Sequence, residues 1–360
     1  MPESSPEILE IIQNYWYLAK TRRFDHVAIT MIDASDDTIA CADYAGIVSL
    51  ERAQYQAMSA LRKRLESSIM NWTLPKPDPS LDGSHVVYSV AHDPMCFDYI
   101  VWLVNCEMAR IREGMPAPLK VGFWLGANPD AVKADPYRMG WLNNVFRPAL
   151  ALIGAVEHDR AIYGTRREMF VTRNIVMASQ LGQLIPQLKT DTRSRFPGYV
   201  VITLREADHW PHRNSNIDAW RKFAAYLQKI GEKVVFIRDT AKADEPFEDF
   251  PTWPEASRDL DMRMAAYQEA KTNWMISNGP IGLCEFSSVP WVQFVPVERT
   301  GGNYEPNTGL FWKDSNGINI GGQFPWCRPD QRIVWERDSL ENLMAAWDEY
   351  APVLRAQNAA

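Results

Sequence analysis

The chain lacks most of the features that mark specialised protein classes. Its five cysteines, Cys41, Cys96, Cys106, Cys284 and Cys327, are odd in number, widely spaced and form no CxxC pair. That pattern excludes a disulfide framework and offers no zinc spacing, so free thiols in a reducing compartment are expected. The formal charge of -7 argues against the basic face of a nucleic-acid-binding protein. No apolar run reaches the roughly 18–20 residues that cross a bilayer. The acidic, proline-containing start from Met1 to Glu10 has no basic-then-apolar leader pattern. A soluble, cytoplasmic protein is therefore expected, with peripheral membrane contact left open. G-x-S-x-G, the Walker P-loop, H-E-x-x-H and the spaced G-x-G-x-x-G are all missing, which removes several common catalytic classes. There is no repeat of solenoid length and no low-complexity tract.

What is present is an ordinary globular composition, 46% apolar and 23% charged, over 360 residues, a length that suits two domains. An amphipathic segment, Ile8–Lys20, leads into the β-branched run His26–Asp33, which reads as a strand. Helical spacing follows over Ser49–Met70, and a proline-rich connector over Leu74–Ser80. Strands are then expected at His85–Val90, Leu119–Leu125 and Ala151–Val156, with helices at Phe97–Arg112 and Tyr137–Phe146. Gly164–Lys189 is basic and helical. The alternation restarts with strands at Tyr199–Leu204, Lys233–Ile237, Asn273–Ile276, Trp291–Val297 and Arg332–Trp335. Its helices are expected at Ile217–Ile230, closed by Gly231, at Leu260–Ala270, and at Ser339–Arg355 with Asp338 as N-cap.

Strands alternating with helices in this way imply parallel sheets. We expect an α/β protein of two Rossmann-like domains facing a cleft, residues 1–190 and 191–335, with a C-terminal helix over 336–360 packing back on the first domain. Glycosyltransferase, periplasmic-binding-protein and epimerase folds all share such an outline, so architecture alone assigns no function.

Two constellations carry chemistry. In Tyr199–Asn216 a buried strand delivers Arg205 to its carboxyl end, and a polar loop adds His209, His212, Arg213, Asn214 and Asn216. Arginine forks and a helix N-terminus suit a phosphate or carboxylate. Asn214 and Ser215 are also favoured helix caps. In Ile276–Glu285, small residues turn the chain from strand to helix at Asn278, Gly279 and Pro280. Such a turn admits a diphosphate close to backbone donors, and Glu285 one turn on suits ribose or sugar hydroxyls. Trp210, Trp312 and Trp326 are candidates for stacking on sugar rings, although such residues more often fill cores. The glycine-rich stretch from Gly301 to Gly322 reads as a hairpin or lid.

Residues 199–297 resemble the nucleotide-sugar domain of GT-B glycosyltransferases, especially the bacterial heptosyltransferase group. The likeness rests on the strand–Arg205–polar loop–Trp220 helix–Gly231–strand run ending in Val234-Val235-Phe236, and on Asn278-Gly279-Pro280 followed by Leu283 and an apolar strand after Pro290. It implies a donor diphosphate facing the Gly-Pro turn, with Arg205, Arg213, Asn214, Asn278, Gly279, Pro280 and Glu285 binding the donor. It also implies an acceptor-side base, for which Asp33 (with Asp36 and Asp37), His92 and Asp93 (with Asp98 one turn later) are candidates. The implied partners are a nucleotide sugar and a glycan or lipid-linked glycan acceptor, as in surface polysaccharide assembly. Neither cofactor nor metal is expected, because fixed donors can stabilise the leaving diphosphate. Pyruvyl transfer, sugar-nucleotide epimerisation and binding without catalysis are the alternatives that the same cleft would serve.

Overall fold

The computed structural model describes residues 84–91, 93–126, 128–158, 172–208, 210–297 and 311–358. The expectations for residues 8–20, 26–33 and 49–70, for Asp33, Asp36, Asp37, Cys41, His92 and His209, and for the stretch from Gly301 to Glu305 lie outside the described residues. Everything described falls in one compact unit, Pro77–Ala360, and that unit contains two parallel sheets.

The first sheet runs β1 (His85–Ser89), β2 (Lys120–Trp124), β3 (Val156–Glu157), each pair parallel. Helix α1 (Asp98–Arg112) links β1 to β2. It is buried on most of its circumference, with Tyr99, Ile100, Trp102, Leu103, Val104 and Met108 inside together with the polar Asn105 and Glu107. Short helices α2 (Pro129–Lys133) and α3 (Pro136–Trp141) follow. Chain then passes through a π-helical turn, Leu142–Phe146, into α4 (Arg147–Ile153).

Here the expected strand at Ala151–Val156 is corrected. Phe146, Ala149 and Leu150 are buried at i, i+3 and i+4, so the apolar run follows helical rather than strand spacing. Gly154, at φ 75°, ends the helix in the left-handed region, leaving only two residues to pair with β2. The basic helix expected over Gly164–Lys189 ends earlier than expected: among the described residues α5 covers Thr172–Gln180, with Gly182 at φ 85° just beyond it.

The second sheet has the order β5–β4–β6–β7–β8, all parallel, formed by Val234–Ile237, Val200–Thr203, Thr272–Ile276, Trp291–Phe294 and Gln331–Val334. Its side chains alternate between two apolar layers. Val201, Val235, Met275, Trp291 and Ile333 face one, and Val200, Ile202, Phe236, Trp274, Val292 and Phe294 the other. Helices α6 (Ile217–Lys229) and α10 (Leu340–Asn358) cover the second layer. The first layer takes α7 (Pro254–Arg258), α8 (Leu260–Gln268) and α9 (Ile281–Glu285). That layer is continuous with the core of the first sheet, through α1 on α9 and α4 on α8.

Gly231, at φ 92°, follows α6 as expected. Helix α10 packs on α6 and on the second sheet itself. Leu343, Ala346, Trp347, Tyr350 and Leu354 form one buried stripe, and the indole of Trp347 lies 5.6 Å from that of Trp274. Asp338 does not cap this helix; Ser339 does, accepting the Asn342 N–H at 3.2 Å. No described helix is long and apolar enough to cross a membrane.

Candidate active site

Strand β4 lies between β5 and β6. Chain leaves β4 for β5 on one side, then returns past β4 to β6 on the other. The connections after β4 and β6 therefore diverge, and such a switch point is where open α/β sheets hold their ligands. The register Val200↔Thr272 to Thr203↔Met275 sets the two carboxyl ends level. One wall of this crevice is the loop from Leu204 to Asn216, the other the turn at Ser277–Pro280.

Arg205 is 6% exposed and firmly placed. Its N–H donates to the Ser215 hydroxyl oxygen at 2.9 Å, and its carbonyl accepts the Ser215 N–H at 2.9 Å. Its Nη1 donates to the Trp210 carbonyl at 3.1 Å and to the Asn214 side-chain oxygen. Burial lowers its pKa, opposed by the nearby Asp239 carboxylate. Asn214 also accepts the Ala207 N–H at 3.1 Å and donates to the Ala207 carbonyl at 2.8 Å. Asn214 and Ser215 thus brace the arginine loop and cap nothing. The cap of α6 is Asn216, whose side chain accepts the Ala219 N–H at 3.3 Å.

At the N-terminus of α6, expected to serve an anionic ligand, the chain's own Asp338 carboxylate accepts the N–H of the N-cap residue Asn216 at 2.8 Å. The cationic side chains of this wall are those of Arg205 and Arg213. The Arg213 guanidinium stacks 5.5 Å from the Trp210 ring and acts electrostatically on Asp98 in the first turn of α1. The protein packed around Asp98 raises its pKa, while a Cys96 hydrogen bond and Arg213 pull it down.

On the other wall, Asn278 accepts the Ile281 N–H at 3.2 Å. Its buried Nδ2 has no hydrogen-bond partner among the described residues. Gly279 is small for a packing reason: a Cβ there would sit 2.8 Å from the Phe97 ring. Pro280 is the N-cap residue of α9, which has five residues; a helix so short adds little dipole field.

Glu285 is 7% exposed and burial pushes its pKa up to about 8, so it is an interior carboxylic acid more than an exposed acceptor. Its carbonyl accepts the Trp326 indole N–H at 2.9 Å. Trp326, partly buried, stacks on Phe324 at 4.7 Å, and Trp312, in the core, packs edge-on against Trp335 at 4.9 Å. Trp210 is 43% exposed. Asp93 accepts the Ser89 N–H at 2.8 Å, which ties one carboxylate oxygen to its own turn. Among the described residues no group of three or more His, Cys, Asp or Glu side chains could hold a metal ion.

Sequence reasoning missed the pair Arg238–Glu206 beside this crevice. Both side chains are buried, and the guanidinium donates to the two carboxylate oxygens at 2.6 and 3.0 Å. The signal was available, since Arg238 follows the buried strand β5 directly, as Arg205 follows β4 with one residue between.

No family model matches the sequence, and no curated protein matches it. In structure the chain is similar to the bacterial iron-containing dodecameric glycosyltransferase TibC from enterotoxigenic E. coli H10407, at 14% identity over 79% of this chain and 78% of that one, with TM-score 0.42. It is similar to E. coli ADP-heptose lps heptosyltransferase II, at 12% identity, 77% and 78% coverage and TM-score 0.37. It is also similar to E. coli heptosyltransferase WaaC with ADP, at 13% identity, 74% and 98% coverage and TM-score 0.39. These belong to the group that residues 199–297 resemble. At such identities and TM-scores the likeness assigns no activity, and the site is read from its own residues.

Proposed function

We propose that the protein is a glycosyltransferase of GT-B type that moves a sugar from a nucleotide-activated donor to a glycan or glycoconjugate hydroxyl. The observation that carries this reading is the pairing, across the β4/β6 switch point, of a buried arginine with the Asn278-Gly279-Pro280 turn. Arg205 and Arg213 offset the charge of the donor's diphosphate. The buried Nδ2 of Asn278 supplies a further donor to an oxygen of the ligand, as a buried polar group needs a partner. Fixed donors of this kind stabilise the charge that grows on the diphosphate as it leaves. The acceptor oxygen forms its bond to the anomeric carbon as the bond to phosphate breaks, and a carboxylate or imidazole from the acceptor side takes the hydroxyl proton. Asp33, His92 and Asp93 are the proposed candidates for that base, and surface polysaccharide assembly is the proposed setting.

A thermal-shift screen against nucleoside mono- and diphosphates and nucleotide sugars tests the reading without knowledge of the acceptor, because a ligand selective for the native state raises its apparent stability. A shift with one nucleoside diphosphate, lost in Arg205→Ala, is the expected result. No shift with any member of the panel would sink it.

Binding without turnover is the second reading. The observation favouring it is the candidate base Asp93, one of whose carboxylate oxygens is held by the Ser89 N–H at 2.8 Å. A bound nucleotide sugar that yields no glycoside with any acceptor would establish it.

A further inference from the structure

We infer that Trp210 is the stacking platform for the donor's nucleobase, an inference that rests on the nucleotide-sugar reading above. Trp210 adopts φ 52° and ψ 61°, left-handed backbone that a bulky side chain enters only when its surroundings impose it. The surroundings here are the two arginines. The single carbonyl of Trp210 accepts Arg205 Nη1 at 3.1 Å and the Arg213 N–H at 3.0 Å. Left-handed backbone at this position is what aims that carbonyl at both.

Glycine would hold the same turn without a steric cost, so the backbone does not explain why the residue is tryptophan. Core packing does not explain it either, since Trp210 is 43% exposed while Trp312 and Trp326 lie in packed aromatic clusters. What the indole does have is the Arg213 guanidinium stacked against it at 5.5 Å and a place one carbonyl away from the buried Arg205. A nucleoside diphosphate carries a flat base one ribose away from its phosphates. A ligand whose phosphates are gripped by Arg205 and Arg213 therefore brings its base to the neighbouring indole. Base–aromatic stacking tolerates every base, because each has a π-face, so Trp210 contributes affinity and leaves base choice to other groups.

Titration calorimetry with ADP, GDP, UDP and inorganic pyrophosphate tests this on the wild type, Trp210→Ala, Trp210→Phe and Trp210→Gly. The glycine variant keeps the left-handed turn available, so it separates the side chain from the backbone. Affinity for whichever nucleoside diphosphate binds is expected to fall about tenfold in the alanine and glycine variants, the low end of stacking energies. Phenylalanine is expected to restore most of it, and pyrophosphate affinity to stay unchanged throughout. An equal loss for pyrophosphate, or unchanged nucleoside diphosphate affinity in Trp210→Gly, overturns the inference and leaves the transferase reading standing. A loss seen only with the sugar-bearing donor overturns it too, placing a sugar ring on the indole instead. If the wild type binds none of the four probes, both readings fall together.

Discussion

Trp220 donates its indole N–H at 2.6 Å to the carboxylate of Asp338, a residue 118 positions further along the chain. The same carboxylate oxygen takes the Asn216 N–H at 2.8 Å. One buried acid therefore fastens the start of the last helix to the start of α6, whose preceding loop carries Arg205. Asp338→Ala leaves two donors unmet at a protein-filled position. It is expected to cost about 2–3 kcal/mol, the range for hydrogen bonds to a charged group plus the unpaired partners. Urea unfolding measures it; a loss below about 0.5 kcal/mol would show that water replaces the carboxylate.

Gly279 and Phe97 form a tight pair across α9 and α1. A Cβ at residue 279 would stand 2.8 and 2.9 Å from Phe97 Cδ2 and Cβ. Because the Phe97 Cβ cannot swing aside, Gly279→Ala is expected to destabilise by about 1–3 kcal/mol, as overpacking does. Phe97→Gly in the same chain removes that Cβ as well as the ring and should relieve the clash, so the double variant should lose less than the sum of the two single losses. Additive losses would argue against direct contact.

The Arg238–Glu206 pair is buried on both sides, at 7% and 4% side-chain exposure. Arg238→Met strands the Glu206 carboxylate, with Lys242 at 3.6 Å the remaining cation beside it among the described residues, and is expected to cost about 3–5 kcal/mol. Glu206→Gln combined with Arg238→Met should recover much of that loss, since the stranded charge is gone. A double variant no better than Arg238→Met alone would refute the electrostatic cause.

Glu285 should be visible in the pH dependence of stability. Its pKa rises from 4.5 to about 8 through burial, so the folded state holds a proton that the unfolded state releases. Its contribution is full below pH 4.5 and is lost as the pH climbs towards about 8. Glu285→Gln, neutral at every pH, is expected to flatten that falling limb in thermal melts. An unchanged slope between the two pH values would mean the carboxyl is solvated.

Much of the second sheet was legible in the sequence because its strands are short, β-branched or aromatic runs bounded by turn residues. Val200–Thr203, Val234–Ile237 and Thr272–Ile276 lie within a residue or so of their expected limits. Arg205 stood out for the same reason, as a charge straight after a buried strand. Ala151–Val156 was misread because a short apolar run does not reveal its period until the preceding Phe146 is known to be on the same face. Asn214 and Ser215 were read as caps because residue type favours that role; their preference for the arginine loop depends on where Arg205 folds back.

Local pattern, then, determined the α/β alternation, the parallel sheets and the two turns that bear the candidate site. Those follow from spacing and from the steric demands of glycine and proline, which act within a few residues. Tertiary structure alone decided the rest. It set the strand order that puts β4 beside β6, brought Asp338 to the N-cap of α6, filled the space over Gly279 with Phe97, and left Trp210 at the surface beside two arginines. Each of those is a contact between residues far apart in sequence, fixed by burial and by the pairing of buried polar groups. No local propensity encodes them.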